Sequence, residues 1–84
     1  MDYYFKPSAI KNIKRLPKLL QKRILGKLDF YTNGKDPIDF AERLNDKTLG
    51  SFRFRVGDYR IIFDVADEKV IILAIGLRRD IYKR

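Results

Sequence analysis

Arg53, Arg55 and Arg60 flank a Gly57-Asp58 pair, and Arg78 and Tyr82 follow near the C-terminus. In Phe52-Arg53-Phe54-Arg55-Val56 the side chains alternate, so a strand here points Phe52, Phe54 and Val56 one way and the two arginines the other. Gly57-Asp58 reads as a two-residue hairpin turn, which sets Arg55 directly across from Arg60. Like charges opposite each other destabilise a sheet. A face that carries them over an opposite face of Phe, Tyr and Ile calls for an anion, and phosphate is the leading candidate.

Eighty-four residues predict one domain, 1–84, near the lower size at which a chain buries a core without disulfides or metals. The sequence has neither Cys nor His, which removes the usual zinc and thiol chemistries. No metal or cofactor is expected, and any catalysis falls to Arg, Lys, Tyr, Asp or Glu. Nineteen Lys and Arg against eleven Asp and Glu give a net charge of +8. Such a field attracts polyanions, and an acidic protein partner is a second fit. Nothing reads as a signal peptide, and the apolar run Val70–Ile75 is too short to span a bilayer. A cytoplasmic protein without a membrane partner is expected.

The elements that must position these groups follow from periodicity. Tyr3-Tyr4-Phe5 before Pro7 reads as an edge strand. Ser8 stands where a helix N-cap belongs, followed by Ile10, Ile13 and Leu16 at helical spacing. Pro17 ends that helix and suits the first turn of the next. The second helix carries Leu20, Ile24, Leu28 and Tyr31 on one stripe and stops at Asn33-Gly34. Gly26 inside it suggests a close approach to a neighbouring element. Residues 33–50 read as a connector with a helical turn. Strands at about Ser51–Val56, Tyr59–Val65 and Lys69–Ile75 complete an antiparallel meander joined at Gly57-Asp58 and Asp67-Glu68. The expected fold is α+β in the order β-α-α-β-β-β, with a helical hairpin on one face of the sheet. Two-residue turns put Tyr59, Ile61, Phe63, Val70, Ile72 and Ala74 on the covered face. They leave Ile62, Ile71, Leu73 and Ile75 on the open one, which is too apolar for water alone, so a longer second turn or a covering element is expected.

The run Phe-Arg-Phe-Arg-Val-Gly-Asp-Tyr-Arg-Ile-Ile-Phe, an apolar strand, then Gly-Leu-Arg-Arg-Asp-Ile-Tyr closely resembles the RelE/ParE superfamily of bacterial and archaeal toxins. The resemblance implies a toxin of a type II toxin–antitoxin system, of the RelE-like branch that cuts mRNA in the ribosomal A site. It places Arg53, Arg55, Arg60, Arg78 and Tyr82 at the positions of the catalytic set. Leu77 stands where many relatives have His, and arginine is a poor proton acceptor. RNA supplies its own 2′-hydroxyl nucleophile, so alignment and charge stabilisation provide most of the acceleration. Arg60 and Arg53 then serve the non-bridging oxygens and Arg78 the leaving 5′-oxygen. Tyr82 either stacks on a base or takes the 2′-proton, its pKa depressed from about 10 with the help of Arg55. Arg79, Lys83, Arg84, Lys11, Lys14, Lys18 and Lys22 are expected contacts to RNA or the ribosome. The resemblance also implies an acidic cognate antitoxin, and operator DNA as a partner only of the toxin–antitoxin complex. A ParE-like gyrase inhibitor of the same fold and a non-catalytic basic binding module are the alternatives.

Overall fold

The computed structural model describes residues 1–34 and 36–82. Strand β1 (Asp2–Phe5) leads into helices α1 (Pro7–Lys14) and α2 (Lys18–Thr32), followed by a 3-10 turn (Pro37–Phe40) and a short strand β2 (Glu42–Arg43). Strands β3 (Phe52–Val56), β4 (Tyr59–Ala66) and β5 (Lys69–Leu77) precede a final helical turn α3 (Arg78–Ile81). The α+β order expected from the sequence is present, with β2 and α3 added to it. The sheet runs β1-β5-β4-β3-β2, with β1 parallel to β5 and every other pair antiparallel.

Turn chemistry explains the meander. Gly57 takes φ +60 at the head of the β3–β4 turn, and both Asp67 and Glu68 take positive φ in the β4–β5 turn. Positive φ at these positions matches the twist of paired strands. Phe54 and Phe63, both fully buried, stack at 4.2 Å, and Tyr31 of α2 stacks on Phe54 at 4.5 Å. Burying each phenylalanine contributes roughly 1.5–3 kcal/mol. Ala9, Ile13, Ile24 and Leu28 join these rings from the helical layer.

The β5 edge beyond β1 is completed by α1. Ser8 Oγ donates to the Leu73 carbonyl at 2.7 Å, and Asn12 Oδ1 accepts from the Ile75 amide at 3.0 Å. Main-chain groups that a sixth strand would otherwise pair are thereby satisfied. Ser8 is consequently not the N-cap: Lys6 holds that position, with Pro7 in the first turn, where its missing N–H costs nothing. Pro17 likewise sits at the N-cap of α2 rather than inside its first turn.

Three further expectations are corrected. Both hairpin turns have two residues, but Ile62 pairs with Ala74 while Phe63 pairs with Ile72, so Leu73 is an extra residue. This bulge reverses the alternation beyond it. Ala74 lies opposite Ile62 on the open face, and Ile75 turns into the core at 4% exposure. Ile10 is exposed and Ala9 takes the core position of α1, because the apolar stripe of so short a helix is fixed by where it meets β5. A Cβ on Gly26 would meet nothing within 4 Å, so no close approach requires that glycine.

Candidate anion site on the open sheet face

Pairing of Arg55 with Arg60 and of Arg53 with Ile62 places all three arginines on the face opposite the helices. Part of this face is covered by the chain itself. Gly50, with φ +154, passes so close that a Cβ would lie 2.7 Å from Ile62 and 2.9 Å from Leu73. Ile62 is only 1% exposed as a result. At the other end, the Arg78 amide donates to the Asp58 carbonyl at 2.8 Å, tying the start of α3 to the hairpin turn. Ile81 then lies over Gly76, 3.7 Å from where a Cβ would be, and Gly76 is the ladder partner of Arg60. The covering element is therefore intramolecular.

This path delivers Tyr82 to Arg53. Arg53 Nη1 donates to the Tyr82 hydroxyl oxygen at 2.7 Å, and the guanidinium carbon stands 5.6 Å from the ring centroid. Among the described residues, the Tyr82 hydroxyl has no acceptor for its own hydrogen. On its other side, Arg53 Nη2 donates to Glu42 Oε2 at 3.1 Å, while Glu42 Oε1 meets Arg55 Nε at 2.6 Å. Glu42 faces Arg53 across the β2–β3 pair. Its carboxyl is held below the ordinary range by the hydrogen bond from Arg53. The charges of Arg53, Arg55 and Arg60 add to this against the opposing effect of partial burial. The bonds to Tyr82 and then Glu42 make Arg53 still harder to deprotonate.

The remaining predicted residues divide among three places. Arg60 is 6% exposed, and its Nη1 donates to the carbonyls of Gly57 and Tyr59, each at 2.9 Å. Its charge still acts on Glu42. Arg78 and Arg79 line a hollow of about 320 Å³ with Asp58 and Leu77. Lys11 and Lys14 on α1 and Lys18 and Lys22 on α2 are exposed on the helical layer, across the sheet from the arginines. Lys83 and Arg84 lie outside the described residues.

Sequence reading missed Glu42, whose strand is only two residues long. The signal that points to it is the charge problem itself: alternate arginines on a strand need a counter-charge, and the connector holds Asp36, Asp39, Glu42 and Asp46. Arg23 was also missed. Its guanidinium stands 3.4 Å from where a Cβ on Gly57 would be.

A helical hairpin lies over an antiparallel meander, with guanidinium groups and Tyr82 on the free face, and comparison with known proteins makes the chain a RelE/ParE-type toxin. Residues 3–82 match the family model of the ParE toxin of the type II toxin–antitoxin system, parDE, and the chain belongs to that family. Toxin RelG of Mycobacterium tuberculosis (strain ATCC 25618 / H37Rv) is 28% identical over 82 residues, spanning 95% of this chain and 93% of that protein. Among solved structures, the toxin–antitoxin complex RelBE2 from M. tuberculosis superposes with a TM-score of 0.73 at 24% identity, covering 92% of this chain and 96% of its own. The RelB-RelE antitoxin–toxin complex from Methanococcus jannaschii gives 0.69 at 23% identity and 94% coverage of both chains. These two likenesses are of fold. Among the described residues, no helix is long and apolar enough to cross a membrane.

Proposed function

We propose that this toxin is a ribosome-dependent mRNA endoribonuclease that inhibits translation. The observation that carries the reading is the 2.7 Å contact between Arg53 and Tyr82, which joins β3 to the C-terminus beside Arg55 and Arg60. Arg53 and Arg55 neutralise the non-bridging oxygens of the scissile phosphate as the 2′-hydroxyl attacks, and Arg60, held against the turn carbonyls, adds its field. Arg78 stabilises the leaving 5′-oxygen. Tyr82 stacks on a base, or as the phenolate accepts the 2′-proton, and the leaving 5′-oxygen takes its proton from water. The products are a 2′,3′-cyclic phosphate and a 5′-hydroxyl, and the scheme draws on no metal ion. With so few acid and base groups the site is weak on free RNA, and the ribosome compensates by holding the message in a reactive pose. Arg79, Lys83, Arg84, Lys11, Lys14, Lys18 and Lys22 contribute binding to RNA or rRNA, visible as a steep salt dependence.

A purified ribosome assay with a programmed message tests this. Wild-type protein cuts the message, and Arg53→Ala and Tyr82→Ala each cut it about 100-fold more slowly or worse. An intact message with wild-type protein ends the nuclease reading. The second reading is a ParE-like gyrase inhibitor, favoured by the ParE description of the matching family model. It requires toxicity to survive Arg53→Ala and Tyr82→Ala, with DNA damage responses rising in expressing cells.

A cognate acidic antitoxin is the partner we assign to the chain. The +8 charge supports it, as does the fact that the two solved structures named above are antitoxin–toxin complexes. The apolar open face supports it less than the sequence suggests, since the bulge and the chain's own segments bury Ile75 and Ile62. Co-expression with the adjacent reading frame should relieve growth arrest, and persistent arrest would count against the assignment.

A further inference from the structure

The carboxylate of Glu42 places one oxygen on each of two guanidinium groups, Oε1 at 2.6 Å from Arg55 Nε and Oε2 at 3.1 Å from Arg53 Nη2. Two oxygens shared between two arginines is the arrangement that the non-bridging oxygens of a phosphodiester would adopt on the same pair. The fit to Arg53 is incomplete. Its Nε is buried and has no hydrogen-bond partner among the described residues. Glu42 binds one donor of that guanidinium and leaves this one without a partner. The mounting of Glu42 is also light: β2 has two residues at the outer edge of the sheet, and the side chain is 45% exposed.

From these observations we infer that Glu42 is a resident competitor, an internal carboxylate seated where a phosphate of the ligand binds, which must swing away before Arg53 and Arg55 can be engaged. The inference rests on the reading of this face as a phosphodiester site. Glu42 neutralises two arginines that would otherwise repel each other. When a phosphate arrives, it takes over the Arg53 Nη2 and Arg55 Nε contacts, while the released carboxylate moves into water at little cost because it stands at the rim. Anion affinity in the free toxin is thereby kept low, and a ligand that brings further contacts, such as a message held on the ribosome, overcomes the competition. The alternative is a clamp, in which Glu42 holds the arginines in a productive pose and its loss weakens binding.

Titration of the full chain with inorganic phosphate at constant ionic strength separates the two. Glu42→Gln and Glu42→Ala should bind phosphate roughly threefold to tenfold more tightly than wild type, the range expected when two exposed ion pairs no longer compete. Asp39→Asn, which removes one exposed carboxylate from the neighbouring 3-10 turn, controls for net charge and should shift affinity by less than about twofold. Unchanged or weaker binding in both Glu42 variants overturns the inference. A measurement on wild-type protein guards against misfolded variants: the Glu42 carboxylate carbon and the Arg55 Nε nitrogen should shift together in NMR spectra as phosphate is added. Arginine shifts without movement of the carboxylate signal would equally overturn it. Cutting is scored separately on ribosomes. Tighter phosphate binding with an intact message sinks the nuclease reading alone, and a cut message without tighter binding sinks the competitor alone.

Discussion

Arg60→Ala should damage stability as well as cutting, and the size of the first effect follows from where the guanidinium is spent. Arg60 is 6% exposed and gives two hydrogen bonds to the carbonyls of Gly57 and Tyr59, each 2.9 Å long. Hydrogen bonds from a charged donor contribute about 1.5–3 kcal/mol, but these carbonyls lie at a hairpin turn where water recovers part of the loss. Removing Arg60 also relieves its opposition to Arg55, worth a few tenths to about 1 kcal/mol. The balance is a destabilisation of roughly 1.5–2.5 kcal/mol. For 84 residues the unfolding entropy is about 0.18 kcal/mol/K, so each kcal/mol moves Tm by about 6 °C. A fall of about 9–15 °C is expected. Arg55→Ala is the contrast, because that side chain is 58% exposed and holds one ion pair with Glu42. Its Tm should move by less than about 3 °C. Circular dichroism melts at neutral pH measure both, and ribosome assays well below either Tm then compare cutting without a folding artefact. Arg60→Ala melting within about 3 °C of wild type would refute the claim that this arginine braces the turn.

Glycine substitutions test the packing. Gly26→Ala should raise stability by about 0.5–1 kcal/mol, since helix propensity is gained with nothing within 4 Å to obstruct the methyl. Gly50→Ala should cost about 2–4 kcal/mol, because φ +154 disfavours a side chain and the new Cβ would lie 2.7 Å from Ile62; the same melts read both. Glu42 has a depressed pKa in the folded state, so its contribution is present above the ordinary value of 4.5 and disappears as pH falls through the lower folded value. In urea titrations, the gap between wild type and Glu42→Gln should shrink towards zero as pH drops from 6 to 3. Tyr3 shows the opposite sign. Burial and a hydrogen bond to Asp29 push its phenol from 10.0 up to about 12, so its contribution holds below pH 10 and is lost as pH rises towards 12. Tyr3→Phe should cost about 0.5–1.5 kcal/mol at neutral pH and approach wild type between pH 10 and 11.5.

Local chemistry made much of the fold legible. Alternation in Phe52–Val56, glycine at the head of the first turn and the stripe Ile24-Leu28-Tyr31 each specify an element from a few neighbouring residues. What escaped was set by distant partners. A bulge at Leu73 carries no sequence signature of its own, yet it exchanges the faces of Ala74 and Ile75. The hydroxyl of Ser8 is suited to cap a helix, but the β5 edge offers it the Leu73 carbonyl. Strand β2 exists because β3 has a free edge, so nothing in Glu42-Arg43 alone announces it. The candidate site divides along the same line. Arg53 and Arg55 follow from period-two alternation, whereas the fold of Arg60 back onto the turn depends on carbonyls that only the finished hairpin presents.

Opposed arginines on one sheet face require a counter-charge, and the chain supplies that charge itself through Glu42. Repulsion between Arg55 and Arg60 by itself is thus not a demand for phosphate. What distinguishes a ligand site from a settled ion-pair network is the remainder. Among the described residues, Arg53 keeps a buried donor unpaired, Tyr82 accepts from Arg53, and three guanidinium charges act on the Glu42 carboxylate. A network built only for stability would be expected to satisfy the buried donor and balance the charge. The surplus of donors and of positive charge on this face is the physical basis for an incoming anion, and Glu42 determines how strongly that anion must compete.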